Sequence, residues 1–140
     1  MTDDVLRTYR DAIGRGDVGS LSAVFAENVQ LRVPLFNEPV QGRQAVAEIL
    51  SVLFGVADSV HLGDAFTGTQ RGYAIALTLK VGGVELEGLE HVHFDHDGLV
   101  DTLLVALRPL DGLVAMHNTI APLLGKPAVA LVPSPTRTCG

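Results

Sequence analysis

The spacing of apolar residues changes period several times along the chain, and each change predicts an element. From Asp3 to Arg15, Val5, Tyr9, Ala12 and Ile13 recur at helical spacing, and Gly16 follows where a left-handed C-terminal cap would end the helix. Asp17 is a side-chain cap for a second, short helix carrying Val18, Leu21, Val24 and Phe25. The period then drops to two, with Val29, Leu31, Val33 and Leu35 on one face of a strand. "NEPVQGR" reads as a turn before a third helix, Arg43 to Phe54, with Val46, Ile49, Leu50 and Leu53 inward. From Asp58 onward the chain reads as strands. The first is Val60 to Thr69, and "YAIALTLKV" follows with Tyr73, Ile75, Leu77, Leu79 and Val81 in one phase. A Gly82-Gly83 hairpin signal, "VELEGLEHVHF", a "DHDG" turn and "LVDTLLVALRPL" complete the run. A last helix, Asp111 to Leu124, brings Leu113, Met116, Ile120 and Leu124 together.

Helix, helix, strand, helix, a strand meander and a final helix make an α+β domain, a curved antiparallel sheet with helices on one face. The domain is expected over residues 1–125, with a Pro-rich tail at 126–140 in which no long helix is plausible. The last strand carries apolar residues in both phases: Leu103, Val105 and Leu107 in one, Val100, Leu104 and Ala106 in the other. An antiparallel strand with one wet face should alternate more cleanly, so a partner subunit is expected to cover the second face.

Composition narrows the setting. The 140 residues suit one domain with a real core, and 47% are apolar, yet no apolar run approaches the roughly eighteen residues of a membrane span. A net charge of −6 without a basic cluster argues against nucleic-acid or membrane-surface partners. The acidic, amphipathic start lacks the pattern of a secretory signal. The single cysteine, Cys139, excludes an intramolecular disulfide, so a cytoplasmic location is expected.

The densest chemistry lies in "LEGLEHVHFDHDGLV". Side chains alternate along a strand, so Val84, Leu86, Val92 and Phe94 share the buried face with Glu90. Glu85, Glu87, Leu89, His91, His93 and Asp95 take the other. His91 and His93 could both reach one metal ion, with Asp95 or His96 added, but histidines among acids on a polar face are better read as surface residues, and no metal is expected. "DHDG" has ordinary turn roles. Glu90 is the residue out of keeping with its face. A carboxyl in an apolar interior must be protonated, hydrogen-bonded or open to a wet cavity.

The segments "YRDAIGRGDVGSLSAVFAENVQLRVP", "EPVQGRQAVAEIL" and "VELEGLEHVHFDHDGLVDTLLVALRPL", spanning Tyr9 to Leu124, resemble the nuclear transport factor 2-like superfamily. That superfamily includes ketosteroid isomerases, SnoaL-like polyketide cyclases and limonene-epoxide hydrolases. The resemblance implies a cone-shaped sheet whose hydrophobic pocket is closed by three N-terminal helices and a C-terminal one, commonly as a homodimer through the outer sheet face. Tyr9, seven residues before Gly16-Asp17, and Glu90, in an acid-His-apolar strand motif, match the oxyanion-binding pair of the isomerases. The aspartate base of that family corresponds to Val33 here, and one acid of the epoxide hydrolases corresponds to about Val105. Both are apolar.

The resemblance therefore implies a cofactor-independent enzyme of isomerase, cyclase or epoxide-hydrolase type. It would act on a hydrophobic metabolite, with Tyr9 and Glu90 as hydrogen-bond donor and general acid. The expected substrate lining is Phe25, Val33, Leu35, Phe54, Leu77, Val92, Val105 and Met116, for which plain core packing is the competing role. His61, His117 and Asp58 are the candidate bases, and nothing in the spacing selects one. The alternative is a non-catalytic ligand-binding or dimerisation module that lacks the base.

Overall fold

The computed structural model describes residues 2–127. Helix α1, Thr2–Arg15, and helix α2, Val18–Val24, are followed by strand β1, Phe25–Arg32, the short strand β2, Val40–Gln41, and helix α3, Arg43–Val56. Strands β3 (Ala57–Thr67), β4 (Gly72–Val81), β5 (Val84–Phe94) and β6 (Val100–Arg108) form the meander, and helix α4, Leu110–Ile120, runs into a 3₁₀ turn at Ala121–Leu124. The six strands make one sheet in the order β2-β1-β6-β5-β4-β3. The tail expected at 126–140 lies outside the described residues from residue 128 onward.

Local chemistry accounts for most of these boundaries. Asp17 caps α2 through both carboxylate oxygens, accepting from Ser20 N at 3.1 Å and Ser20 Oγ at 2.7 Å. These bonds hold its carboxyl below the usual carboxylate range. Gly82 and Gly83 have φ of 58° and 81°, the pair of positive values that a two-residue hairpin needs to match strand twist. In the "DHDG" turn, Asp95 Oδ1 accepts from Asp97 N and Leu99 N, both at 2.9 Å.

Both boundaries of β1 differ from expectation. Phe25, assigned to the second helix, opens β1, and β1 ends at Arg32 rather than Leu35. Pro34 explains the early stop, because proline cannot donate to a ladder. The sheet has the expected curved, unclosed form but is not wholly antiparallel: β1 runs parallel to β6. Val100, placed by parity on the outer face, is buried. A register shift between His93 and Phe94 sets Val100 opposite Phe94 and moves it to the core side.

The core follows the parity of β5, with Leu86, Glu90, Val92 and Phe94 buried while Glu85, Glu87, Leu89 and His91 are exposed. Helices α1 and α3 pack on the inner side of the sheet, burying Tyr9, Ala12, Ile13, Val46 and Leu50. Gly88 fixes how closely β5 and β6 approach. A Cβ there would lie 1.9 Å from the Ala106 carbonyl oxygen, so no side chain fits between the two backbones.

Candidate functional site

Two elements bring the site together. α1 turns its apolar stripe onto the sheet and carries Tyr9 inward, fully buried. β5 presents Glu90 on the same inner side, 3% exposed, between Ile75 of β4 and Val105 of β6. The two side chains meet: the Tyr9 hydroxyl donates to Glu90 Oε1 at 2.7 Å across 81 residues of sequence.

Burial is the largest influence on both groups. It raises the Glu90 carboxyl to about 7, against smaller downward pulls from the Tyr9 hydrogen bond and the Arg10 charge. Burial, followed by the neighbouring Glu90 charge, lifts the Tyr9 hydroxyl well above its ordinary value, so it stays a donor at neutral pH. Because Tyr9 donates to Oε1, the proton of neutral Glu90 belongs on the other carboxyl oxygen.

Glu90 forms part of the wall of a cleft whose other lining is apolar, including Val33, Leu35, Phe54, Leu77, Val105 and Met116. Those six are the expected lining residues that the structure brings to the cleft. Phe25 and Val92 are not among the wall residues; both are fully buried in the core cluster that contains Tyr9. Tyr9 is not on the wall either. The pair is arranged in series, with Glu90 at the cleft and Tyr9 behind it, rather than as two donors side by side facing a ligand. The free interior is about 50 Å³, room for only a few waters. A ligand of more than a few heavy atoms enters only as the apolar wall gives way.

None of the possible bases lines the cleft. Asp58 accepts from Gly83 N at 3.0 Å and so holds the β4–β5 hairpin. His61 is exposed on β3 opposite Thr78. His117 is buried on α4, its Nε2 3.3 Å from the Pro127 carbonyl oxygen. The histidines of the opening motif lie elsewhere too: His91 is exposed on the outer face, and His93 Nδ1 is 2.7 Å from Asp101 Oδ1. Among the described residues no group of three or more His, Cys, Asp or Glu is placed to hold a metal ion.

The sequence does not single out wall residues such as Ile13, Leu31, Ile49 and Leu103, whose spacing reads as core. Core and cleft share one face of each element, so periodicity does not separate them. Arg10 carries no sequence signal of its own. It follows Tyr9 on α1, and its Nη2 donates to the Gly63 carbonyl oxygen at 2.9 Å.

A raised carboxyl pKa has a consequence for stability. Folded Glu90 holds its proton up to about 7, whereas the unfolded side chain releases it near 4.5. The folded state therefore binds more protons between those values, and stability falls as pH rises through this window. At about 1.36 kcal/mol per unit, the loss is about 3 kcal/mol. Chemical denaturation from pH 4 to pH 8 is expected to show this decline in the wild type, and Glu90→Gln is expected to lack it. Parallel pH profiles for the two proteins would contradict the assignment.

No protein-family model matches the chain, and no curated protein matches it in sequence. Solved structures do match in fold. A steroid delta-isomerase from Pseudomonas aeruginosa superposes with a TM-score of 0.82 at 24% identity, covering 89% of this chain and 91% of that one. A protein from Silicibacter pomeroyi, described as conserved in bacteria with a cystatin-like fold, gives 0.80 at 21% identity over 86% and 85%. An epoxide hydrolase/cyclase-like enzyme with a role in pyran ring formation in polyether salinomycin gives 0.67 at 18% identity over 79% and 92%. Proteins described as NTF-2 like match as well. The chain thus has the nuclear transport factor 2-like fold, one that ketosteroid-isomerase and cyclase-like enzymes also have. No helix among the described residues is long and apolar enough to cross a membrane.

Proposed function

From a nuclear transport factor 2-like fold with the Glu90 carboxyl in its cleft, we propose that this protein is a small-molecule enzyme of isomerase, cyclase or epoxide-hydrolase type. Its substrate is a hydrophobic metabolite that presents one oxygen to Glu90, and it needs no cofactor. The observation that carries the reading is that, among the described residues, Glu90 is the only titratable one on the cleft wall, with its carboxyl raised to about 7. A group poised near neutral pH can both give and take a proton, as general acid–base catalysis requires. The neutral acid donates to a carbonyl, hydroxyl or epoxide oxygen, and the carboxylate can accept a proton in a later step. Tyr9 supports Glu90 from behind, and the apolar wall fixes the substrate's conformation and excludes water.

The test is a screen of apolar ketones, enones and epoxides with product analysis by mass spectrometry and NMR. Turnover that follows a pKa of about 7 in the free enzyme supports the reading. Turnover unchanged in Glu90→Gln would remove it.

One observation favours a second reading. Val33 and Val105 stand on the cleft wall as apolar residues, which suits a binding module without a second acid or base. Stoichiometric binding of a hydrophobic ligand that is recovered unchanged would favour that reading.

We further propose a homodimer through the outer sheet face, acting in the cytoplasm. Leu89 and Leu104, on adjacent strands, are 47% and 42% exposed, and Ala106 faces Leu89 across the pair. Covering such a stripe removes apolar surface from water. Light scattering is expected to give a dimer, and Leu104→Asp is expected to shift it toward monomer by tenfold or more in Kd, about 1.4 kcal/mol. A wild-type monomer at micromolar concentration would contradict the proposal.

A further inference from the structure

The reading of Glu90 as the working acid leaves one neighbouring charge without a role. Arg10 follows Tyr9 on α1 and is half-buried. β3 is bulged opposite Ala76: Leu62 pairs with Leu77 and Ala65 pairs with Ile75, leaving Gly63 and Asp64 in between. The Gly63 carbonyl oxygen is the one that accepts from Arg10 Nη2, at 2.9 Å. A guanidinium is a rigid fork of donors, so this bond fixes both the helix against the strand and the place of the charge.

We propose that Arg10 is a positioning residue of the Tyr9–Glu90 site, clipping α1 to the bulge of β3 and holding a fixed positive charge close to the buried carboxyl. The inference rests on Glu90 being the working acid. The surroundings of Glu90 leave few alternatives for this role. α1 brings Tyr9 and Arg10, β4 brings Ile75, and β6 brings Val105. α3 contributes apolar residues such as Ile49, Leu50 and Leu53 to the cleft, and Val60 and Leu62 of β3 pack with the core. Asp64, on the bulge itself, is exposed. β1 and α4 add only apolar residues, such as Leu31, Met116 and Ile120, to the cleft wall, so among the described residues Arg10 is the cationic side chain whose charge acts on Glu90 against the effect of burial. Without it the carboxyl would stay protonated at higher pH and lose its use as a base near neutrality.

The test needs no substrate. Glutamate labelled at the carboxyl carbon reports the Glu90 titration by NMR, with Glu90→Gln identifying the signal. The wild type is expected to titrate at about 7. Arg10→Met is expected to titrate higher by at least about half a unit, and Arg10→Lys to stay close to the wild type. If Arg10→Met does not fold, Arg10→Gln decides, because it removes the charge while keeping a polar side chain at the same place. A neutral variant that titrates with the wild type overturns the inference, and so does a lysine variant displaced as far as the neutral one. A wild-type midpoint near 4.5 would instead overturn the reading of Glu90 itself.

Discussion

Glu90→Gln is expected to lower kcat by about a hundredfold to ten-thousandfold while leaving the protein folded. Glutamine keeps the shape of the side chain and still accepts from the Tyr9 hydroxyl, so the 2.7 Å bond in the core survives. What it removes is the exchangeable proton. The same substitution has a stability effect of opposite sign. Above about pH 7 wild-type Glu90 is ionised in an apolar site, and a neutral glutamine avoids that cost. The variant is therefore expected to be inactive and, at pH 8, more stable than the wild type by up to about 3 kcal/mol. A working group that destabilises its own fold is the trade expected at a functional site. Tyr9→Phe isolates the supporting role. It leaves Glu90 on the cleft wall but removes its donor, and is expected to reduce kcat less than Glu90→Gln. Activity is screened at several pH values, because loss of the Tyr9 bond raises the Glu90 pKa further. Full activity in Glu90→Gln would remove Glu90 from the mechanism.

Gly88→Ala is expected to cost at least about 3 kcal/mol, a large share of the stability of a small domain. The added methyl would meet the Ala106 carbonyl oxygen at 1.9 Å and Leu107 Cα at 3.0 Å. Both are backbone atoms of β6, so no side chain can turn away to make room. Relief requires β5 and β6 to separate, and Glu90 lies two residues along β5. The variant should therefore disturb the Tyr9–Glu90 contact as well as the sheet. Gly55→Ala in α3 is the control. Its methyl meets nothing within 4 Å, and alanine favours a helix, so it is expected to be neutral or stabilising by about 0.5–1 kcal/mol. Urea denaturation of both variants checks the pair. Similar midpoints for the two would mean that the close approach at Gly88 is not a constraint.

Much of this site could be seen in the sequence, but not its arrangement. Strand alternation is strict in β5, and that alone singled out Glu90 as an acid on the apolar face. Tyr9 is different. Its helical spacing marked it as inward-facing, and only the resemblance to ketosteroid isomerases coupled it to Glu90. That Tyr9 stands behind Glu90 depends on how far α1 sinks against the sheet, which a one-dimensional pattern does not contain. Phe25 and Val92 were apolar on the correct side, yet lie in the core around Tyr9 rather than on the cleft wall. Parity misplaces Val100 because a bulge shifts the register without leaving a mark in hydrophobicity. The parallel pairing of β1 with β6 is a long-range event with no local signal. Arg10 is not legible in the sequence, because a charged residue on an amphipathic helix ordinarily belongs to the wet face. Here a bulge on β3 offers it a carbonyl.

The central claim is that a neutral carboxylic acid exists at Glu90 near physiological pH, ready to exchange its proton with a ligand in the cleft. Infrared spectroscopy tests it most directly, because the C=O stretch of a protonated carboxyl is separate from that of a carboxylate. The difference spectrum between the wild type and Glu90→Gln at pH 6 is expected to show a protonated-carboxyl band that fades as pH passes about 7. A difference spectrum with no such band at pH 6 would show Glu90 already ionised and would contradict the account.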